Sequence, residues 1–68
     1  HQIHGDRVVM VEDVITTGNS VLKAVKEVEN CKARVIKVIC LVDREEGAQE
    51  VLAAYNYTPI FSIKELAI

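Results

Sequence analysis

The residues able to do chemistry fall in two clusters. In the first, Glu12-Asp13 is followed by Val14-Ile15-Thr16-Thr17-Gly18-Asn19-Ser20: two adjacent carboxylates, then three hydroxyls and a glycine. A carboxylate accepts hydrogen bonds without donating any, and can take them from both members of a sugar cis-diol. A loop with hydroxyls, free N–H groups and a glycine that lets the backbone come close is a cradle for an anion. A helix beginning at about Asn19 or Ser20 aims its positive end at the same place. Together these parts read as a sugar-phosphate site. The second cluster, Asp43-Arg44-Glu45-Glu46-Gly47, ends an apolar run abruptly. Its Arg44 offers a planar fork for a carboxylate or a carbonyl edge.

The elements that must position these residues alternate in type. Val8-Val9-Met10-Val11 lacks polar alternation, which suits a strand of a parallel sheet covered on both faces. Glu12 and Asp13 cannot be hidden in such a strand, so it is expected to end there, at the carboxyl rim where α/β sheets bind ligands. Val21, Ala24, Val25 and Val28 fall at helical spacing, with Leu22 beside them. Lys23, Lys26, Glu27 and Glu29 take the other face, in an amphipathic helix that ends near a left-handed Asn30. Val35 to Val42 forms a second, β-branched strand interrupted by Lys37. A helix is predicted over about Ala48 to Tyr55, broken by Asn56. A short strand follows from Tyr57 to Ser62, at an edge because of Pro59. Ser62-Ile63-Lys64-Glu65 has the form of a capping box opening a last helical turn or two through Ile68, and Gly5-Asp6 is a plain turn before the first strand. The order β-α-β-α-β-α predicts an α/β fold with a parallel sheet. Strands laid down in one direction put both intervening helices on one face and leave the other face bare, so the chain is expected to be part of a larger domain.

Size and composition bound the reading. A chain of 68 residues buries only ~60% of the surface its unfolded form exposes and is marginal alone. Half the residues are hydrophobic, enough for a core. The net charge of −2 comes with no basic stripe or aromatic platform, which argues against a nucleic-acid partner. No apolar run approaches the ~20 residues of a membrane span, and no signal peptide is visible. A start at His1-Gln2 without Met reads as a fragment or a trimmed end. Cys31 and Cys40 form no CxxC and read as reduced thiols of a cytoplasmic protein. His1 and His4 lack a third ligand, so no protein metal site is expected.

Val8-Val9-Met10-Val11-Glu12-Asp13-Val14-Ile15-Thr16-Thr17-Gly18-Asn19-Ser20 resembles the phosphoribosyl pyrophosphate (PRPP) motif of type I phosphoribosyltransferases. Among them it is most similar to the orotate-using group, whose motif reads E/D-D-V-I-T-T/A-G. Leu41-Val42-Asp43-Arg44-Glu45-Glu46-Gly47 resembles that group's L-D-R-x-E-G segment. Ile60-Phe61-Ser62-Ile63-Lys64-Glu65-Leu66 is similar to its closing strand and helix. The resemblance implies a three-layer α/β/α domain of which residues 1–68 are the C-terminal part, with the PRPP motif at 8–20. It implies transfer of ribose 5-phosphate from PRPP to orotate, giving orotidine 5′-monophosphate and pyrophosphate in pyrimidine biosynthesis. Glu12 and Asp13 would face the ribose hydroxyls as the catalytic carboxylates. The segment from Val14 to Ser20 would complete the PRPP site, with Thr16, Thr17, Gly18, Asn19 and Ser20 around the 5′-phosphate. Thr16 and Arg44 would meet orotate. Mg2+ would arrive with the pyrophosphate and need few protein ligands. A homodimer is implied for the full-length protein, because the family's mobile loop carries a lysine into the neighbouring subunit's site.

Two departures stand out. Asn19 replaces a second glycine of many members, and a slightly stiffer loop is expected. The pyrophosphate loop and the mobile loop lie upstream in the family and have no match here, so the 68 residues alone are expected to be inactive. Each feature also has a plainer reading. Glu12-Asp13 would be a solvated strand end, Arg44 an exposed ion pair with Glu45, Glu46 or Glu12, and Asp43 a structural carboxylate orienting its turn. Tyr55 and Tyr57 would be packing residues. The competing functions are a non-catalytic PRPP-binding regulator, a purine phosphoribosyltransferase (often acidic where Thr16 stands) and a generic phosphate-binding module, which leaves the second cluster unexplained.

Overall fold

The computed structural model describes residues 7–66, so the turn expected at Gly5-Asp6, the His1/His4 pair and the end of the last helix lie outside the described residues. The elements are β1 (Arg7–Ile15), α1 (Asn19–Asn30), β2 (Arg34–Asp43), α2 (Ala48–Val51), β3 (Tyr57–Ser62) and α3 (Ile63–Leu66), with a 3₁₀ turn at Ala53–Tyr55 before β3. The three strands form one parallel sheet in the order β1-β2-β3, the α/β architecture expected.

One core holds it together. Val21 and Val25 of α1, Ala48 and Leu52 at and just beyond α2, and Val35, Val38 and Cys40 of β2 form a buried cluster with Ile15. Leu22, Val28, Met10 and both tyrosines pack at its margin. The apolar stripe of α1 is the predicted one. Its polar face is interrupted once, where Glu29 accepts a hydrogen bond from the Tyr55 hydroxyl at 3.3 Å, tying the 3₁₀ turn to α1. The other sheet face is open: Val9, Val11, Leu41 and Ile60 are exposed. The described residues therefore supply two layers, a sheet and the helices on one of its faces.

Several details differ from the sequence reading. β1 does not stop at Glu12-Asp13 but runs to Ile15, with Glu12, Val14 and Ile15 paired to Cys40, Val42 and Asp43. A charge constrains where a side chain goes, not whether its backbone stays in the ladder: Asp13 follows Val9 and Val11 to the uncovered face, and Glu12 borders the hollow beside α1. Alternation also slips here. Met10 and Ile15 both join the core although an odd number of positions separates them, and their partners Val38 and Asp43 of β2 are both buried across the same interval. Neighbouring strands thus turn together at the rim. The helix predicted over Ala48 to Tyr55 is α-helical only to Val51, then tightens to 3₁₀ before Asn56 turns left-handed at φ 51°. At the end of α1 the left-handed residue is Lys32 (φ 66°) rather than Asn30; the helix closes on tighter bonds from Cys31 N–H to Val28 O and Lys32 N–H to Glu29 O.

The remaining local expectations hold. β3 is an edge strand and carries Pro59. The capping box is reciprocal: the Ser62 N–H donates to Glu65 Oε1 at 3.0 Å and the Glu65 N–H to Ser62 Oγ at 3.2 Å. Cys31 is exposed, Cys40 is buried, and both are free.

Candidate functional site

Because β1 reaches Ile15 and α1 begins at Asn19, the ligand loop shrinks to Thr16-Thr17-Gly18. Val14 and Ile15, expected in that loop, are paired strand residues. Gly18 turns the chain into α1 at φ 86°, and its carbonyl accepts the first helical bond, from Leu22 N–H at 2.9 Å. Thr17 Oγ1 accepts the Asn19 N–H at 3.3 Å. Asn19 itself is helical, so its replacement of a glycine leaves the turn's shape to Gly18.

The start of α1 has no side-chain cap and no acidic residue in its first turn. Its first N–H groups have no carbonyl one turn back, and the helix of twelve residues adds a partial positive charge at that end. Beside it lies a cavity of about 160 Å³ lined by Glu12, Val14, Ile15, Thr16, Gly18, Ser20 and Val21. Of the residues the sequence singled out, Glu12, Thr16, Gly18 and Ser20 are thus brought together with Val14 and Ile15. Asp13, the next strand residue, is exposed and does not line the cavity. Thr17 and Asn19 lie beside it, engaged with each other.

The second cluster is joined to the first by backbone. The Arg44 N–H donates to Ile15 O at 2.9 Å, which fixes the Arg44 turn to the last residue of β1. The Arg44 side chain is half exposed and faces Glu46 at 3.5 Å. Such a pair is weak and readily exchanged. A second, acidic hollow of about 200 Å³ lies along this turn and the start of α2, lined by Asp43, Glu45 and Glu50 among others.

Sequence reasoning missed how the two clusters touch. A Cβ on Gly18 would sit 3.2 Å from Ala48 Cα, 3.3 Å from Ala48 Cβ and 3.4 Å from Leu52 Cδ1. The loop therefore rests directly on α2, and the small residue at 48 was the available signal. Gly18→Ala is expected to destabilise the fold by about 1–2 kcal/mol from the left-handed backbone alone, with the crowding against Ala48 added. A denaturant midpoint unchanged from the unsubstituted protein would contradict this.

Among the described residues no three His, Cys, Asp or Glu side chains gather as a metal cage. The donor set here suits a metal carried by a substrate's phosphates and water, which asks for at most one or two carboxylates.

A parallel α/β sheet ending in a carboxylate-bearing strand, a three-residue loop and an uncapped helix defines a class, and the chain belongs to it: the phosphoribosyl transferase domain family matches residues 1–65. Within that family the similar relatives are orotate phosphoribosyltransferases. The one from Methanocaldococcus jannaschii is 55% identical over 64 residues, covering 91% of this chain and 36% of the relative. The one from Methanosphaera stadtmanae is 46% identical over 65 residues, covering 93% and 36%. The chain therefore spans about a third of the length of these relatives. Among solved structures, a phosphoribosyltransferase from Corynebacterium diphtheriae superimposes with a TM-score of 0.91 at 40% identity, covering 98% of this chain and 41% of that one. Orotate phosphoribosyltransferase from Mycobacterium tuberculosis, in complex with PRPP, gives 0.88 at 38% identity, covering 97% and 41%.

Proposed function

We propose that this chain is the C-terminal, PRPP-binding part of an orotate phosphoribosyltransferase, which moves ribose 5-phosphate from PRPP to orotate in pyrimidine biosynthesis. The observation that carries the reading is the uncapped, acid-free start of α1 beside a cavity that Glu12 also lines. A phosphate fits the helix end and a sugar hydroxyl fits the carboxylate. The relative crystallised with PRPP supports the same assignment.

In this mechanism the 5′-phosphate sits on the N–H groups at the start of α1, with the Thr16 and Ser20 hydroxyls as further donors. The Glu12 carboxylate takes the ribose hydroxyls, and Asp13 joins it if its exposed side chain swings to the sugar. As the bond from ribose C1 to pyrophosphate breaks, positive charge grows on the sugar, and fixed negative charge beside it lowers the barrier. A ring nitrogen of orotate bonds to C1 in the pyrophosphate's place, and the proton of that N–H leaves to solvent or to the departing pyrophosphate. Arg44, leaving Glu46, holds the orotate carboxylate with its planar fork, and Thr16 lies on the base side of the loop. Mg2+, held mainly by the pyrophosphate and water with at most one or two carboxylates of the protein, would supply charge compensation for the leaving group. The parent protein is a cytoplasmic homodimer in this reading, whose other segments cover the bare sheet face and complete the site.

Calorimetric titration of the full-length parent with PRPP and Mg2+, then with orotate, tests the assignment; absence of heat with PRPP would refute it. The isolated 68 residues are expected to show no steady-state turnover, and measurable transferase activity from them would overturn the view that essential groups lie elsewhere in the parent.

A further inference from the structure

Asp43, the last residue of β2, is the one buried charged side chain among the described residues, 1% exposed. A buried carboxylate is costly unless its oxygens are engaged. One is: Oδ1 accepts the Glu45 N–H at 2.6 Å. The other, Oδ2, is sealed from solvent without an aligned partner, and so is the hydroxyl of Tyr57 on the neighbouring strand β3. The hydroxyl has Asp43 and Cys40 as neighbours across the β2–β3 pairing, so a buried acceptor and a buried donor, neither with an aligned partner, lie near each other. Burial first, and then these two neighbours, push the tyrosine well above its ordinary pKa, so its O–H keeps a proton to offer the carboxylate.

What this cluster controls is the turn that follows. Glu45 is left-handed at φ 59°, a conformation that costs a residue with a side chain about 1–2 kcal/mol. The Asp43 bond to its N–H opposes that cost, while the Arg44 N–H is held by Ile15 O on the other side. The backbone at Arg44 is thus held on both sides, by its own N–H on Ile15 O and by the Glu45 N–H on the Asp43 carboxylate, which fixes the point from which its side chain leaves the turn. We infer that Asp43, backed by the Tyr57 hydroxyl, is a positioning residue that sets Arg44 for the base substrate. This rests on the proposed role of Arg44, and it assigns to the edge strand a part in base selection that neither cluster shows alone.

A turn that keeps its shape only a tenth of the time weakens apparent affinity about tenfold. In the full-length parent, Asp43→Ala should raise KM for orotate by about tenfold while KM for PRPP stays within about twofold. Tyr57→Phe, which keeps the ring, should raise KM for orotate by about threefold. Asp43→Asn retains an acceptor for the Glu45 N–H and should recover most of the loss. Melting temperatures of all three identify any variant that fails to fold, and if Asp43→Ala does, Tyr57→Phe and Asp43→Asn decide. Equal changes in both KM values, or none, for the folded variants overturn the inference. If the unsubstituted parent itself neither binds nor uses orotate, the proposed function falls instead, so the two failures are distinguishable.

Discussion

Glu12→Gln in the full-length parent is expected to lower kcat/KM for PRPP by about 10²–10³, the effect of removing one preorganised electrostatic group from a reacting centre. Glu12 lines the cavity beside the start of α1 with Thr16, Gly18 and Ser20. The amide keeps the shape and one acceptor oxygen, so the ground-state grip on the ribose changes little. What disappears is the negative charge facing the sugar as pyrophosphate leaves. The loss should therefore fall mainly on kcat, with KM for PRPP within a few-fold. Asp13→Asn should cost less, because Asp13 is exposed and does not line the cavity as the structure stands. Steady-state kinetics of both variants separate the two carboxylates. A Glu12→Gln enzyme within threefold of the unsubstituted one would remove the electrostatic role, and an Asp13→Asn loss exceeding that of Glu12→Gln would mean the side chains rearrange on binding.

Much of this site was legible in the residue order, for identifiable reasons. Apolar runs and helical spacing carry the element order, and α1 appears where Val21, Val25 and the polar residues between them require it. The capping box at Ser62 and Glu65 depends only on contacts three residues apart, so it could be read directly. What could not be read depends on pairing between distant segments. β1 continues through Glu12 and Asp13 because β2 is there to pair with it, and that shortens the loop to three residues. The break in α2 has the same character. Leu52 is wholly buried, its N–H bonds to Ala48 O, and the chain then tightens to reach β3 in a short span. Asp43 was readable as the carboxylate orienting its turn, and its bond to the Glu45 N–H agrees. The unmatched Tyr57 hydroxyl beside it was not, since a tyrosine near an edge strand looks like packing until its neighbours are known.

Arg44→Ala in the full-length parent is expected to weaken orotate binding by about 10- to 100-fold, the range spanned by one charge-assisted hydrogen bond of ~1.5–3 kcal/mol. PRPP affinity should stay within about twofold. The reason for the split is in the connections of the turn. Among the described residues the link from Arg44 to the proposed phosphate loop is its backbone N–H on Ile15 O at 2.9 Å, and alanine keeps that bond. Among the described residues the guanidinium pairs only with Glu46, at 3.5 Å with both groups about half exposed, so its release toward a substrate forfeits little. Stability should therefore barely move, and a changed melting temperature would signal a structural role that the contacts do not indicate. Arg44→Lys should recover only part of the affinity, because a point charge on a flexible stem lacks the planar fork that matches a carboxylate. Titration with PRPP and then orotate reads both affinities in one experiment. An equal fall in the two would mean that the Arg44 turn serves the phosphate loop, through Ile15 and the packing of Gly18 on Ala48, rather than the base.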